Sequence, residues 1–143
     1  MTQEDKNLLL KDLCARLPYG VKLQNIYNIE SIVKLRSIDL DDYCYEILFY
    51  TYQGKALTVC DKSRLFRFGK ILRYKPYLFP LSSMTEEQKE EYVSLQQRVI
   101  YNSQGLVNLD VTKYTDWCYK HHIDINGLIP MGLANDATGL NIY

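Results

Sequence analysis

The amino-acid sequence predicts a single α+β domain with an N-terminal helix, a curved antiparallel sheet of four or five strands, two C-terminal helices and an irregular tail. Apolar residues recur at helical spacing before Pro18, alternate with polar residues from Tyr19 to about Tyr74, and return to helical spacing after Thr85. A chain of 143 residues that is 47% apolar and has no Pro- or Ser-rich linker can bury one core. We therefore expect residues 1–143 to form one domain.

The first predicted element is an amphipathic helix over Thr2–Leu17. Pro18 ends this helix, because the residue before a proline avoids the helical region. The apolar stripe comprises Leu9, Leu10, Leu13, Cys14 and Leu17. The polar face comprises Asp5, Lys6, Lys11, Asp12 and Arg16.

Five short β-rich runs follow, with the sequences VKLQNIY, SIVKLRSI, YCYEILFYTY, KALTVC and KILRY. Turn residues separate the runs at Tyr27–Glu30, Asp39–Asp42, Gln53–Gly54 and Asp61–Arg64. Because short connections join antiparallel neighbours, we expect a meander of four or five twisted strands. A meander of this kind can also curl into an SH3-like half-barrel.

Two more helices are predicted after the strands. The second helix begins at two overlapping capping boxes, Ser83 with Glu86 and Thr85 with Gln88. It runs to about Tyr101 and buries Tyr92, Leu95, Val99 and Ile100. A turn through Asn102–Asn108 leads to the third helix, which starts near Asp110 with an inward stripe of Val111, Tyr114, Trp117, Cys118 and His121. Gly127, Pro130 and Gly132 then break the tail into irregular turns or one short helix.

Composition and cysteine spacing exclude several classes of protein. The apolar runs are too short for a membrane span and the polar, acidic start is unlike a signal peptide, so we expect a cytoplasmic protein. The four cysteines are widely spaced and lack a C-x-x-C pair, namely Cys14, Cys44, Cys60 and Cys118. We expect them to be small buried thiols, without disulfides, a structural zinc ion or a cofactor.

The most informative stretch is Lys62–Thr85, which holds six basic residues, five aromatic residues and no acidic residue in a chain with no net charge. Positive charge beside flat apolar rings suits phosphates or another anion. The predicted anion contacts are Arg64, Arg67, Lys70, Arg73 and Lys75. The predicted stacking residues are Phe66, Tyr74 and Tyr77. The alternative is that Phe66 and Phe68 belong to the core and that the cations are solvated strand-edge charges.

A second candidate group lies at the end of the third predicted helix. Trp117 and His121 are one turn apart and share a face, whereas His122 is turned by about 100° and should not point the same way. A neutral His121 can hydrogen-bond a ligand or act as a base. Alternatively, the histidines interact with the carbonyl end of the helix and Trp117 is a core residue.

Two further chemical interpretations have little support in the sequence. Cys118, His122 and Asp124 have a spacing that permits metal ligation, but they lack a second ligand pair. Ser82 and Ser83 have no G-x-S-x-G context, and helix capping explains them. We therefore expect neither a metal nor a serine nucleophile.

Two segments carry a resemblance to known proteins. KPYLFPLSSMTEEQKEEY and DWCYKHHIDINGLIPMGLA, following LLLKDLCARLPYGVK, resemble a family of small uncharacterised proteins encoded by bacteriophages, prophages and other mobile elements of gut anaerobes. The resemblance covers both ends and the centre of the chain. It implies a phage-type accessory protein that blunts a host defence, by sequestering a nucleotide signal or by binding a defence protein.

We therefore expect a non-enzymatic binding protein that sequesters a nucleotide-like anionic signal in the cytoplasm of an infected or lysogenic bacterial host. The expected ligand-binding residues are Arg64, Phe66, Arg67, Lys70, Arg73, Tyr74, Lys75, Tyr77, Trp117 and His121. The alternatives are an inhibitor that covers a host defence protein, a small hydrolase or nuclease that uses His121 or His122, and weak binding of single-stranded nucleic acid. No membrane partner is expected. The acidic patches at Asp39–Asp42 and Glu86–Glu91 leave self-association open.

Overall fold

The computed structural model describes the chain except residues 42–43, 54–55, 68–70 and 102–107. The helices are α1 (Gln3–Arg16), α2 (Glu86–Tyr101) and α3 (Asn108–Lys120), with short 3-10 turns at Leu17–Tyr19 and Leu81–Ser83. The strands are β1 (Lys22–Asn25), β2 (Asn28–Asp41), β3 (Cys44–Gln53), β4 (Ala56–Arg64), β5 (Phe66–Arg67), β6 (Ile71–Leu72), β7 (Tyr74–Leu78) and β8 (Asn135–Asp136). This order confirms the predicted α+β class. Among the described residues, none of the helices has the length and apolar character that crossing a membrane requires.

Six of the strands form one mixed sheet in the order β4-β3-β2-β1-β7-β8. The first five are antiparallel neighbours, and register shifts bend β1 to β4. Strands β1 to β4 form the predicted meander, whereas the predicted fifth run KILRY contributes β6 to a separate two-stranded sheet and β7 pairs with β1. Strand β8 joins β7 in parallel, with Tyr77 opposite Asn135 and Leu78 opposite Asp136. The chain passes from β4 to β7 through the β5–β6 hairpin, and the sheet is not closed into a barrel.

Helix α1 begins and ends where the sequence predicts. The Thr2 hydroxyl accepts the Asp5 N–H at 3.1 Å, and the Asp5 carboxylate accepts the Thr2 N–H at 2.6 Å. This reciprocal pair is a capping box, which satisfies two backbone donors at the start of the helix. Leu17, the residue before Pro18, is the C-terminal cap. At the start of α2, Thr85 and Gln88 form the same reciprocal pair.

Aliphatic side chains from α1, the sheet and the C-terminal segment form the main core, including Leu9, Leu13, Val21, Leu23, Val33, Leu35, Leu78 and Leu128. A second cluster joins α2 and α3 and includes Met84, Trp117, Cys118, Ile123, Tyr92, Leu95 and Tyr114. The predicted inward faces of α2 and α3 therefore meet each other. Val111 is the exception, because its side chain is 39% exposed. The side chain of Ile100 and most of the predicted Asn102–Asn108 turn lie outside the described residues.

Three residues of α1 differ from the prediction. Asp12 and Arg16, assigned to the polar face, are fully buried, whereas Cys14, assigned to the apolar stripe, is exposed. The reason is that the segment after α3 covers the side of α1 that carries the two charges, which neutralise each other as an ion pair at 2.7 Å. Cys118 is buried as predicted, and burial raises its pKa to about 11. The side chains of the other two cysteines lie outside the described residues.

Candidate functional site

Backbone hydrogen bonds join the end of β7 to the segment after α3. The Phe79 N–H donates to the His122 carbonyl at 2.9 Å, and the Phe79 carbonyl accepts the Asp124 N–H at 2.8 Å. The Ala137 N–H donates to the Leu78 carbonyl at 2.8 Å. The chain that leads into α2 is therefore fixed beside the chain that leaves α3.

A cavity of about 400 Å³ lies at this junction, between the start of α2 and the end of α3. Its lining residues are Phe79, Ser83, Thr85, Gln88, Lys120, His121, His122, Ile123 and Tyr143. The volume falls within the roughly 300–1,000 Å³ typical of small-molecule pockets. Aromatic rings, imidazoles, hydroxyls and an ammonium group thus surround a space large enough for a small ligand.

The backbone conformation of His122 accounts for its position in the same cavity as His121. His122 has a φ of 55°, in the left-handed region that few residues other than glycine adopt. This conformation reverses the chain directly after α3, so His122 lines the same cavity as His121. Helical geometry predicts that the two side chains point in different directions, and both residues nevertheless line the cavity because α3 ends at Lys120.

The ring of His122 is held from several sides. Its side chain is only 6% exposed, and it stacks on Tyr143 with the ring centroids 3.8 Å apart and the planes 15° from parallel. The Tyr143 hydroxyl donates to the Tyr77 carbonyl at 2.8 Å and accepts the Lys22 backbone N–H at 3.0 Å. The stacked pair is thereby anchored to β7 and β1.

Burial lowers the pKa of His122 to about 4, and the positive charges of Arg16, His121 and Lys22 act in the same direction. The imidazole is therefore neutral at pH 7. A hydrogen bond with the Tyr19 backbone favours a proton on the ring. Nδ1 of His122 is buried with no partner among the described residues.

His121 lies beside Trp117, with ring centroids 4.4 Å apart. Burial lowers the pKa of His121, a shift that Glu91 opposes and Lys120 reinforces. Trp117 is only 8% exposed and belongs to the cluster between α2 and α3. Of this predicted pair, His121 therefore reaches the cavity, whereas Trp117 supports it from the core.

Of the predicted cations of the basic stretch, the structure describes the side chains of Arg64, Arg73 and Lys75, and none of these three lines the cavity. Arg64 is exposed at the end of β4, and Lys75 is partly buried on β7. Arg73 lies between β6 and β7, with its Cζ 5.8 Å from the centroid of the Tyr74 ring. The side chain of Arg67 in β5 and the whole of Lys70 lie outside the described residues.

The predicted stacking residues of the same stretch differ in their surroundings. Tyr74 and Tyr77 are 3% and 5% exposed, so their rings lie in the interior rather than on an open face. Burial raises the pKa of Tyr77. The side chain of Phe66, and the whole of Phe68, lie outside the described residues.

Several other polar groups near the cavity form structural hydrogen bonds. The two carboxylate oxygens of Asp124 accept the backbone N–H groups of Leu128 and Ile129, each at 2.8 Å. The Ser83 hydroxyl donates to the Pro80 carbonyl at 2.7 Å. Asp124 therefore stabilises a turn, and Ser83 closes a 3-10 turn instead of the capping box predicted for it.

A buried ion pair links α1 to this same turn. Arg16 donates to the Asp12 carboxylate at 2.7 and 3.0 Å and to the Ile123 carbonyl at 2.8 Å. The Asn126 amide donates to the Asp12 carboxylate at 2.8 Å. The ion pair thus holds the backbone at Ile123, directly after His122, against α1.

Sequence reasoning missed Phe79, Lys120 and Tyr143 as lining residues. Phe79 and Lys120 lie within KPYLFPLSSMTEEQKEEY and DWCYKHHIDINGLIPMGLA, whose expected resemblance to phage and prophage proteins is the one signal that could have indicated them. Tyr143 has no comparable signal, because its position depends on contacts with distant strands.

Acidification should destabilise the protein through His122. The pKa of His122 is about 4 in the folded protein and has its ordinary value of 6.5 in the unfolded chain. Between these two pH values, the unfolded chain therefore binds one more proton at this residue than the folded protein does. The free energy of unfolding should therefore fall as the pH drops from about 6.5 to about 4, by at most about 3 kcal/mol from this group. Urea unfolding near pH 7 and near pH 4.5 should show a smaller difference in His122→Asn than in the parent protein. An equal difference in both would contradict the assignment, and His121→Asn is the matched control.

No protein-family model matches the chain, and no match was found among curated proteins or among solved structures. The cavity and the groups that line it are therefore the features of the molecule that bear on its function.

Proposed function

We propose that the protein binds a small anionic, nucleotide-like molecule in the cavity between α2 and α3 and holds it without chemical conversion. The observation that carries this proposal is the composition of the cavity wall. An ammonium group, two neutral imidazoles and two aromatic rings line one space, from Lys120, His121, His122, Phe79 and Tyr143. The ammonium attracts an anion, and the rings provide apolar surface for a base.

The charges around the cavity also favour an anion. Arg16 and Lys22 lie close enough to His122 to lower its pKa, and Lys120 acts in the same way on His121. Asp12 neutralises Arg16 as its ion-pair partner, and Glu91 opposes the effect of Lys120 on His121. The positive charge that supports binding of an anion therefore comes mainly from Lys120 and Lys22.

The hydrogen bonds of nearby groups support binding over catalysis. A hydrolase or nuclease needs a base aligned with a nucleophile or with a water molecule. Here Asp124 and Ser83 bond to backbone groups, and Thr85 caps α2. The imidazole of His122 interacts with the Tyr19 backbone.

The family resemblance extends the proposal to a biological role. The two segments that resemble phage and prophage proteins supply all of the lining residues except Tyr143. We propose that the protein is an accessory factor that sequesters a nucleotide signal of a host defence system. Inhibition of a defence protein and hydrolysis by His121 or His122 are the alternatives.

Isothermal titration calorimetry with a panel of cyclic and linear nucleotides tests the proposal. Lys120→Ala should weaken binding at least about tenfold, because hydrogen bonds to charged groups contribute about 1.5–3 kcal/mol. Lys113→Ala is the matched control, since Lys113 is exposed on the same helix and does not line the cavity. Arg73→Ala tests the basic stretch as the alternative location.

Three results would contradict the proposal. The first is that no nucleotide binds the parent protein, and the second is that Lys113→Ala weakens binding as much as Lys120→Ala. The third is chemical conversion of the ligand, which mass spectrometry of the molecule released by heating would show. That third result would favour the hydrolase alternative.

A further inference from the structure

We propose that Asn126 is a site of spontaneous deamidation, and that the carboxylate formed there opposes Asp12 and weakens the contact between α1 and the turn after α3. The sequence contains one Asn-Gly pair, Asn126–Gly127, which lies in this turn. Both residues are partly exposed, so solvent reaches the pair. The site does not depend on the proposed function, because the reaction requires only water and a base.

The reaction is intramolecular. The Gly127 backbone nitrogen attacks Cγ of the Asn126 side-chain amide and loses its proton to hydroxide or another solvent base. The bond from Cγ to the amide nitrogen then breaks, ammonia leaves, and a succinimide ring remains. Water opens this ring to aspartate or isoaspartate. The overall change is hydrolysis of an amide to a carboxylate, without an oxidant or a reductant.

The attacking nitrogen is not engaged elsewhere in the fold. Leu128 and Ile129 donate their backbone N–H groups to Asp124, whereas the Gly127 N–H has no acceptor among the described residues. An amide without a hydrogen bond can lose its proton without a prior opening of the structure. A Cβ built on Gly127 would meet only the Pro130 side chain, at 3.9 Å, so the described neighbours leave room for the ring to close.

The Asn126 amide has a bonding role that a carboxylate cannot fill. Its Nδ2 donates to Oδ1 of Asp12 at 2.8 Å, and Arg16 donates to the same carboxylate at 2.7 and 3.0 Å. Deamidation replaces the donor nitrogen with an oxygen that can only accept when it is ionised. Two carboxylates would then share one guanidinium, beside an ion pair that is fully buried. Like charges at this distance disfavour each other.

The effect extends from the turn to α1 and to the cavity. Arg16 joins α1 to the Ile123 carbonyl at 2.8 Å, and Ile123 lines the cavity. A second negative charge at this junction would compete with Asp12 for Arg16. The modified protein should therefore be less stable, with one wall of its cavity held less firmly.

Ageing of the full chain tests the reaction. The parent protein is kept in native buffer at mildly alkaline pH, and peptide mass spectrometry locates each asparagine that has become an acid. Asn126 should convert faster than every other asparagine of the chain. Asn126→Gln is the matched control, because glutamine keeps the amide donor but must close a larger ring, and position 126 should then stay unconverted. Equal conversion at asparagines that no glycine follows, or conversion only in urea, would overturn the proposal.

Two substitutions test the effect of the product on stability. Asn126→Asp should lower the melting temperature by at least about 4 °C, because it removes a hydrogen bond to a charged group and adds a like charge. Asn135→Asp is the matched control and should lower it less. The Asn135 amide donates at 2.8 Å to the neutral Gln24 amide, which can also act as a donor. The aged fraction that carries the additional negative charge, separated by ion exchange, should melt below the unaged protein.

A double variant identifies Asp12 as the cause. In Asp12→Asn with Asn126→Asp, the acid and the amide exchange places, so the loss of stability should be smaller than the sum of the losses in the two single variants. Additive losses, or an Asn126→Asp variant that melts with the parent protein, would overturn the opposition of the two carboxylates. None of these measurements uses a nucleotide, so failure of the binding proposal would leave their outcome unchanged.

Discussion

Replacing Asp12 with alanine is expected to lower the free energy of unfolding by about 3–5 kcal/mol. Asp12 and Arg16 are both fully buried, and the carboxylate accepts two hydrogen bonds from the guanidinium and one from Asn126. Without Asp12, the Arg16 charge would remain in the interior with the Ile123 carbonyl and the Tyr119 ring as its remaining neighbours. Urea unfolding at neutral pH would measure the loss.

Matched variants separate the charge from the side-chain volume. Lys11→Ala, at an exposed position of the same helix, should change stability by no more than about 0.5 kcal/mol. The double variant Asp12→Leu with Arg16→Met should be more stable than Asp12→Ala, because it leaves no unpaired charge inside. A loss below about 1 kcal/mol for Asp12→Ala would show that the ion pair does not hold α1 in place.

Asp124→Ala is expected to lower the free energy of unfolding by about 3–6 kcal/mol, since two hydrogen bonds to a buried carboxylate are lost and each contributes about 1.5–3 kcal/mol. Both bonds restrain the turn at Leu128 and Ile129, which packs in the main core. Asp124→Asn should lower the free energy of unfolding by less than Asp124→Ala does, because the asparagine side chain keeps one acceptor oxygen. The same unfolding measurement applies, with nucleotide titration as a second measurement.

The control for this prediction is Asp136→Ala. Asp136 is exposed and accepts one backbone N–H, from Thr138, at 2.8 Å. Its replacement should therefore cost less than about 1 kcal/mol. If Asp124→Ala and Asp136→Ala lowered the free energy of unfolding equally, burial would not strengthen the hydrogen bonds of Asp124.

Local sequence signals were sufficient for the helices and most of the sheet. Capping residues fix the starts of α1 and α2, and Pro18 fixes the end of α1. The antiparallel order of β1 to β4 follows from short connections between alternating runs. These features depend on residues close in the chain, which is why a sequence alone can predict them.

Features that depend on distant partners were not predictable in the same way. Strand β8 has only two residues, too few for an alternating pattern, and it exists because β7 offers it a free edge. Asp12 and Arg16 were assigned to the polar face because nothing near them in the sequence indicates that the segment after α3 covers them.

The candidate site was predicted in part. His121 was identified from its helical face, and the structure places it in the cavity. The basic stretch was singled out by composition, but Tyr74 packs in the main core and Tyr77 is buried as well. Composition reports which residues are close in the chain, whereas a cavity depends on which residues are close in space.

The ion pair between α1 and the turn after His122 also has a consequence for the order of folding. Arg16 and Ile123 are 107 positions apart, and Asp12 and Asn126 are 114 apart. Contacts between such distant residues form slowly, because the entropy of closing the intervening loop is lost before the contact stabilises it. We therefore expect the helices and the β-meander to form first and the cavity wall last. A nascent chain would therefore form this cavity only after the segment around Ile123–Asn126 has reached α1.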